Sequence, residues 1–346
     1  MNLFKIVQKR TDKSNSKSSP YRDVGTVLLF VFLLPYVISC LWGHVGEETE
    51  SISERGKEET DWIDEKYEIA LSGSFGIRKM SMQEYLIRKL NIVLGEDNDE
   101  GAVYEFETLK AQAVVLRTQL WELIYNAGNS VTIQDDVTMY GMKDTTAKIS
   151  DDSSSLELLY EKAVKETDGI YLEYENRPIK AAFFPVSNGH TRAASELWEN
   201  SSYPYLINVE CSQDIKAKDY QSQAVVSKEE YSRVIQKIFE NDLSIDNELN
   251  NAWKNAGFLY DSAGYVVEVT IDGYSCSGET FRNAFGLNSA SLEAEWKDNE
   301  VIFHVKGLGH GFGMSQYGAN ERALSGETFD QILKYYFFQT ELAKIE

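Results

Sequence analysis

Apolar residues recur at helical spacing in several parts of the chain. The clearest case is YEFETLKAQAVVLRTQLWELIYNAG, which Gly128 closes. Its apolar face consists of Phe106, Leu109, Ala113, Leu116, Leu120 and Ile124. Capping boxes, Ser81 with Glu84 and Ser227 with Glu230, precede two further helical patterns. The remaining predicted helices are SSSLELLYEKAVKETDG, SQYGANERAL and ETFDQILKYYF.

Alternating apolar and polar residues predict strands in other segments. IYLEYENRPIKAAFFPVS indicates two strands joined at Asn176-Arg177. YVVEVTIDGYSCSG and EVIFHVK indicate late strands, with a turn at Asp272-Gly273. Helices and strands come in separate runs, so the pattern predicts an α+β fold of mixed helices and antiparallel strands.

An uninterrupted apolar run lies near the N-terminus. Val24–Trp42 carries no charge, and as a helix it would be about 28 Å long, close to the ~30 Å core of a bilayer. Basic residues precede it and glutamates follow it, which predicts a cytoplasmic N-terminus. We expect an uncleaved transmembrane anchor, a single-pass location in the cell membrane, and a C-terminal domain that is extracytoplasmic. The alternatives are a cleaved signal peptide and a lipoprotein modified at Cys40.

The pattern divides the chain into four parts. We predict a short basic cytoplasmic segment at 1–23, the anchor at 24–43, an acidic, solvated linker at 44–70, and one domain at 71–346.

Composition excludes some functions. The formal net charge of −21 disfavours a nucleic-acid partner, because a phosphate backbone would be repelled. With four histidines, and Cys211 and Cys276 far apart in sequence, we expect no metal and no cofactor. The two cysteines are more typical of buried thiols than of a disulfide.

The segment GLGHGFGMSQYGAN, residues 307–320, places glycines around His310. Alternate glycines allow a ligand or another stretch of backbone to approach closely. We predict that His310, Gln316 and Tyr317 contact a ligand there. The alternative is a glycine-rich packing turn around a structural histidine.

A second polar cluster occurs in PVSNGHTRAASELW, with Trp198 nearby. Its candidate binding residues are Ser187, Asn188, Gly189, His190 and Thr191. Small polar groups beside an aromatic ring are typical of a sugar-binding site, although Asn-Gly is also a common turn. On the long helix, Arg117 would by itself be interpreted as a buried ion pair.

Taken together, these segments resemble a known family. ETLKAQAVVLRT is similar to EALKAQAVAARTY, and GHGFGMSQYGA to GHGVGMSQYGA, which are hallmarks of the SpoIID/LytB family. The segment from AVKETDG to PYLINVECSQD resembles the block between them, so the likeness covers roughly residues 75–340. It implies a lytic transglycosylase that cleaves peptidoglycan strands stripped of their stem peptides during sporulation and engulfment. It also adds Arg117 to the residues expected to bind substrate.

The chain departs from the family at the catalytic position. Relatives carry a glutamate in E-M-P before LKAQA, whereas counting forward from Glu84-Tyr85 reaches Val93 and counting back reaches Asp99. The substitutes in the inserted acidic loop are Glu96 and Glu100. In addition, QDDVTMYGMK lacks the histidine and cysteine that bind zinc in several relatives.

Two hypotheses follow from the resemblance. The first is a divergent transglycosylase that uses a carboxylate of the Glu96–Glu107 region. The second is a catalytically degenerate module that binds glycan strands or docks other sporulation or wall-remodelling proteins. In both, the expected partners are peptidoglycan glycan strands and, through the anchor, the membrane.

Overall fold

The computed structural model describes residues 62–73, 76–95, 104–127, 132–134, 155–198, 203–239 and 253–346. The described residues fall into two compact units. The helical unit contains the described residues up to Ala182 together with Ala319–Glu346, and the sheet unit spans Phe183–Gly318.

Helices and strands alternate irregularly along the chain. The helices are α1 (Met82–Gly95), α2 (Phe106–Ala127), α3 (Ser155–Glu166), α4 (Lys228–Ile238), α5 (Gly278–Phe285), α6 (Gln316–Leu324) and α7 (Phe329–Tyr336). The strands are β1 (Glu68–Gly73), β2 (Gly76–Ser81), β3 (Thr132–Gln134), β4 (Ile170–Tyr174), β5 (Arg177–Pro178), β6 (Phe183–Phe184), β7 (Gln221–Ser227), β8 (Ala256–Tyr260), β9 (Val266–Ile271), β10 (Tyr274–Ser277), β11 (Leu292–Trp296), β12 (Glu300–Lys306), β13 (Met314–Ser315) and β14 (Glu341–Lys344).

The helical unit is built around α2. Leu109, Ala113 and Leu120 of its predicted face are buried, as are polar residues on the same helix. Two three-stranded sheets, in the orders β2-β1-β3 and β14-β4-β5, belong to this unit. The predicted cap of α1 is present, because the Glu84 N–H donates to Ser81 Oγ at 3.2 Å.

The sheet unit contains two three-stranded antiparallel sheets, β10-β9-β8 and β11-β12-β7, and the short parallel pair β13-β6. Aromatic side chains such as Tyr231, Phe281 and Phe303 fill the core between these sheets and the helices α4 and α5. The predicted α+β class is therefore confirmed.

Two of the predicted turns can be compared with the structure. Asp272 and Gly273 have positive φ values of 47° and 83° between β9 and β10, so that turn is confirmed. Between β4 and β5 the positive φ values belong to Glu175 and Asn176, one residue earlier than predicted. Paired positive φ angles suit the twist of a two-residue hairpin.

The predicted linker at 44–70 ends earlier than expected. Within it, Ile63–Glu65 forms a 3₁₀ helix and β1 begins at Glu68. Asp64 is only 1% exposed, because it has a buried partner that is described below. The acidic composition of this segment indicated a solvated linker, and for Asp64 that prediction is wrong.

The predicted basic segment and membrane anchor belong to the N-terminal region. The segments 1–23 and 24–43, and most of the linker, lie outside the described residues. Among the residues that the structure does describe, no helix is both long and apolar enough to span a bilayer. Cys211 and Cys276 are free thiols, and burial raises the pKa of Cys276 to about 12.

Candidate functional site

The glycine-rich segment lies against β6 and the first residues of the other polar motif. A Cβ added to Gly307 would be 2.7 Å from the Val186 carbonyl oxygen, and one added to Gly309 would be 2.7 Å from Phe184 Cβ. Val186 and Leu308 exchange backbone hydrogen bonds at 3.1 and 2.7 Å. The space that these glycines leave is thus occupied by protein, which matches the packing-turn alternative and not the predicted ligand groove.

Gly311 is enclosed in the same way. With φ at +84°, a Cβ there would lie 2.8 Å from Tyr265 Cζ and 2.9 Å from Arg192 Cδ. The Arg192 N–H also donates to the Gly311 carbonyl at 2.8 Å. This glycine is needed for both its backbone angle and its lack of a side chain.

The ring of His310 packs between aromatic residues. Its centroid is 5.6 Å from that of Phe184 and 6.1 Å from that of Phe312. The Phe312 N–H donates to Nδ1 at 3.1 Å, and the ring also hydrogen-bonds the Phe183 backbone. Both ring nitrogens therefore serve the fold, and the predicted ligand contact by His310 is replaced by a structural role.

His310 is half-buried, and desolvation together with two arginines keeps its ring neutral. Desolvation is the main cause that lowers its pKa from 6.5 to about 3, and the positive charges of Arg282 and Arg192 add to it. The hydrogen bond to the Phe183 backbone acts in the opposite direction but is weaker. A neutral ring is required here, because Nδ1 must accept the Phe312 N–H.

This pKa predicts a pH dependence of stability. The unfolded chain takes up a proton near pH 6.5, whereas the folded chain does so only near pH 3, so stability falls as the pH drops through this window. Between pH 7 and 5.5 the free energy of unfolding should fall by about 1.3 kcal/mol from this group alone. Urea titrations of the wild type and of His310→Gln, a non-titrating replacement, should differ by that amount. Equal losses in both proteins would contradict a desolvated, neutral His310.

Most of the SNGHT residues are also engaged inside the sheet unit. The Asn188 amide donates to the Ala263 carbonyl at 2.7 Å and to Ser291 Oγ at 2.9 Å. The Thr191 hydroxyl donates to the Ile207 carbonyl at 2.8 Å. Predicted as sugar ligands, these side chains instead hold neighbouring loops together.

Ser187 and Gly189 form a tight turn beside them. Ser187 is fully buried, and its Oγ accepts the Gly189 N–H at 3.0 Å. Gly189 has φ at +115° with open space where a Cβ would point. Gly189 and Ser187 are both buried, so neither is presented openly to a ligand.

His190 differs from its neighbours because its side chain is exposed. Nδ1 lies 3.2 Å from Asn208 Oδ1. Of the predicted binding residues in the sheet unit, it is the one that the structure presents to solvent most openly. Nearby, Trp198 is half-buried, with its ring 5.3 Å from that of Phe312.

The two remaining residues of the glycine motif follow β13. Gln316 is 2% exposed, and the Tyr317 N–H donates to the Pro185 carbonyl at 3.0 Å. Gln316 is therefore placed as an interior residue, whereas half-buried Tyr317 retains some access to solvent.

Three buried charged residues that the sequence did not predict lie beside the motifs: Asp214, Arg192 and Asp261. Asp214 Oδ2 accepts the Ser187 N–H and the Ser315 hydroxyl, both at 2.6 Å. Arg192 Nε donates to Asp261 Oδ2 at 2.6 Å, with both side chains fully buried. No local pattern signalled these pairs, since the partners are between 27 and 101 residues apart in sequence.

In the helical unit, Arg117 forms a buried ion pair. Its Nε and Nη2 donate to the carboxylate of Asp64 at 2.6 to 2.9 Å, and the side chains are 0% and 1% exposed. Nη1 donates to the Ile170 carbonyl at 3.1 Å. Arg117 therefore forms the buried ion pair that the sequence alone indicated. The resemblance implied that Arg117 binds substrate, and that role is not compatible with such burial.

The predicted catalytic region is described in part. Glu96 and Glu100 lie outside the described residues. Val93 in α1 is 6% exposed. Glu107 is held by Lys110 at 2.5 Å and by the Phe329 N–H at 2.8 Å, which makes it structural. Within the described parts of the chain, no group of three or more acidic, histidine or cysteine side chains is arranged to hold a metal ion.

Sequence comparison relates the chain to known proteins. The SpoIID family, described as stage II sporulation protein, matches residues 73–174. Stage II sporulation protein D of Bacillus subtilis (strain 168) is 31% identical over 281 residues, covering 78% of this chain and 76% of that protein. The protein of the same name from Bacillus amyloliquefaciens is 30% identical over 288 residues, covering 80% and 78%. The chain belongs to the SpoIID family.

A further relative has a different name. The amidase enhancer of Bacillus subtilis (strain 168) is 28% identical over 290 residues, which cover 71% of this chain but 39% of that longer protein.

Proposed function

We propose that this protein acts on cell-wall peptidoglycan during sporulation, and that it binds glycan strands stripped of stem peptides. Membership of the SpoIID family and the names of the two sporulation relatives support this proposal. The apolar run Val24–Trp42 supports a membrane anchor with the folded part facing the wall. Other wall-remodelling proteins are proposed as docking partners.

The geometry favours binding without cleavage. The single observation that carries this choice is Val93, which occupies the family's glutamate register counted from Glu84-Tyr85 and is buried in α1. A valine cannot transfer a proton, and an ionised carboxylate at so buried a position would be costly to desolvate. The retained motifs do not argue for catalysis either, because most of their side chains stabilise the fold.

Cleavage is the second candidate, favoured by the acids between Gly95 and Gly101. In that mechanism one carboxylic acid, from Glu96 or Glu100, protonates the glycosidic oxygen as the C–O bond breaks. The resulting carboxylate then accepts the proton of a sugar hydroxyl, whose oxygen closes the anhydro ring. One residue would therefore both donate and recover the proton.

A digestion experiment separates the two candidates. Full-length protein in detergent would be incubated with amidase-stripped glycan strands, with co-sedimentation and mass spectrometry of anhydro ends as readouts. We expect binding without anhydro products. The variants Glu96→Gln and Glu100→Gln should bind like the wild type, as should the control Glu229→Gln, which changes an exposed acid far outside the Glu96–Glu107 region.

Two other outcomes would be informative. Anhydro products that fall about 100-fold or more in Glu96→Gln or Glu100→Gln, but persist in Glu229→Gln, would establish the transglycosylase. A folded protein that neither binds nor cleaves the strands would contradict both candidates.

A further inference from the structure

Four polar side chains of the sheet unit form a continuous hydrogen-bonded series, which we name the relay: Glu196, Ser262, Asn208 and His190. Glu196 accepts both the hydroxyl and, at 2.7 Å, the backbone N–H of Ser262. The Asn208 amide donates to Ser262 Oγ at 3.3 Å. Asn208 Oδ1 then faces His190 Nδ1 at 3.2 Å.

The carboxylate of Glu196 determines which group donates and which accepts in every hydrogen bond of the relay. An ionised carboxylate only accepts hydrogen bonds, so the Ser262 hydroxyl must donate to Glu196. Ser262 Oγ then accepts the amide hydrogen of Asn208, which turns the amide oxygen towards His190. Because that oxygen cannot donate, His190 Nδ1 must carry a hydrogen. In the neutral ring the lone pair is therefore on Nε2.

The backbone on which His190 sits is also fixed. Its N–H donates to Asn188 Oδ1 at 3.1 Å, and its carbonyl accepts the Tyr265 hydroxyl at 3.4 Å. Among the described residues Nε2 has no hydrogen-bond partner, so an oriented acceptor is left facing solvent.

We propose that His190 Nε2 accepts a hydrogen bond from a sugar hydroxyl of the glycan strand, and that Glu196, Ser262 and Asn208 are positioning residues that fix its tautomer. The ligand class rests on the proposed function. Two exposed acidic residues are linked to this histidine, since Glu196 ends the relay and Glu210 is the β-bridge partner of His190. These charges repel phosphate and favour a neutral hydroxyl donor.

Binding of amidase-stripped glycan strands to the full-length protein in detergent tests the contact. His190→Ala should weaken binding about fivefold to tenfold, the loss of one hydrogen bond of about 1–1.4 kcal/mol. His190→Gln, which keeps an acceptor at a similar reach, should recover part of that affinity. The matched control is His304→Ala, because His304 also bonds a glutamate and an amide, Glu295 and Gln223 at 3.0 Å each, but in the sheet β11-β12-β7. It should bind normally.

The tautomer of His190 is a separate readout of the relay. It would not change if the relay residues had a merely structural role. Side-chain nitrogen NMR of ¹⁵N-histidine-labelled protein reports which nitrogen carries the hydrogen. The wild type should show His190 protonated at Nδ1, and Asn208→Leu should shift it towards the Nε2–H form and weaken glycan binding about threefold or more. Glu196→Gln should act in the same direction, since an amide can donate to Ser262 and let the relay reverse.

The outcomes distinguish this proposal from the proposed function. A wild type that binds no glycan would overturn the proposed function and the ligand assigned here. Normal binding by the wild type and by His190→Ala would overturn this contact alone. A wild-type His190 protonated at Nε2 would overturn the relay whatever the binding result.

Discussion

Replacing Asp64 with alanine should lower the stability of the helical unit by about 3–5 kcal/mol, the usual cost of leaving one buried charge without its partner. Arg117 donates to this carboxylate from Nε and Nη2, and neither side chain has access to water. Backbone carbonyls of Val164 and Ile170 would still accept from the guanidinium but cannot neutralise it. Hydrogen exchange of α2 amides, followed by mass spectrometry, measures the loss within this unit.

An exposed ion pair provides the control. Lys79 and Glu68 are 3.0 Å apart with side chains 65% exposed, so Lys79→Ala should cost less than about 1 kcal/mol. The double variant Asp64→Leu/Arg117→Met should recover much of the lost stability, because it leaves no charge behind. A small effect of Asp64→Ala, similar to that of Lys79→Ala, would mean that water reaches Arg117 in solution.

Gly311→Ala should destabilise the sheet unit by about 2–5 kcal/mol. The left-handed φ of +84° costs an alanine about 1–2 kcal/mol, and overpacking adds about 1–3 kcal/mol. The added methyl group would meet Tyr265 at 2.8 Å and Arg192 at 2.9 Å. Arg192 cannot move away easily, because it is buried and paired with Asp261. Urea titration and hydrogen exchange of β9 and β12 would measure the change.

Gly273→Ala separates the two causes. Gly273 has nearly the same φ, +83°, but nothing lies within 4 Å of the added Cβ. Its substitution should therefore cost only the backbone part, about 1–2 kcal/mol. If both alanines cost the same, the close packing around Gly311 would contribute nothing measurable.

Much of the fold was predictable because local signals and tertiary structure agree. The capping serine before α4 accepts the Glu230 N–H at 3.2 Å as expected, and the Asp272-Gly273 turn is present. The strand β1 was missed because it begins inside the acidic run that indicated a solvated linker. Nothing adjacent to Asp64 in sequence reveals Arg117, its partner 53 residues later.

The candidate site was less predictable than the fold. Motif residues such as Asn188 and His310 carry polar groups whether they bind a ligand or fasten one loop to another. Composition and spacing cannot separate these roles, which depend on the direction of each side chain. In the structure the polar groups of both residues are directed at neighbouring backbone.

The relay also depends on contacts that the sequence does not reveal. Ser262 and Asn208 have no distinctive sequence context, and 54 residues separate them. Only folding brings them to Glu196 and His190. That His190 contacts sugar stays a prediction, and the contacts that fix the orientation of its ring could not be predicted from the sequence.

The 3₁₀ helix at Ile63–Glu65 has a mechanical consequence. Asp168 accepts the backbone N–H groups of Ile63 and Asp64, each at 3.0 Å, and Arg117 holds the Asp64 side chain. A pulling force applied to the chain before Trp62 would reach these bonds before it reached β1. The load would pass into α2, a helix of 22 residues, and would have to shear several bonds at once instead of peeling one strand from its sheet. Single-molecule stretching from the N-terminal side should accordingly show a lower unfolding force in Asp64→Ala than in the wild type.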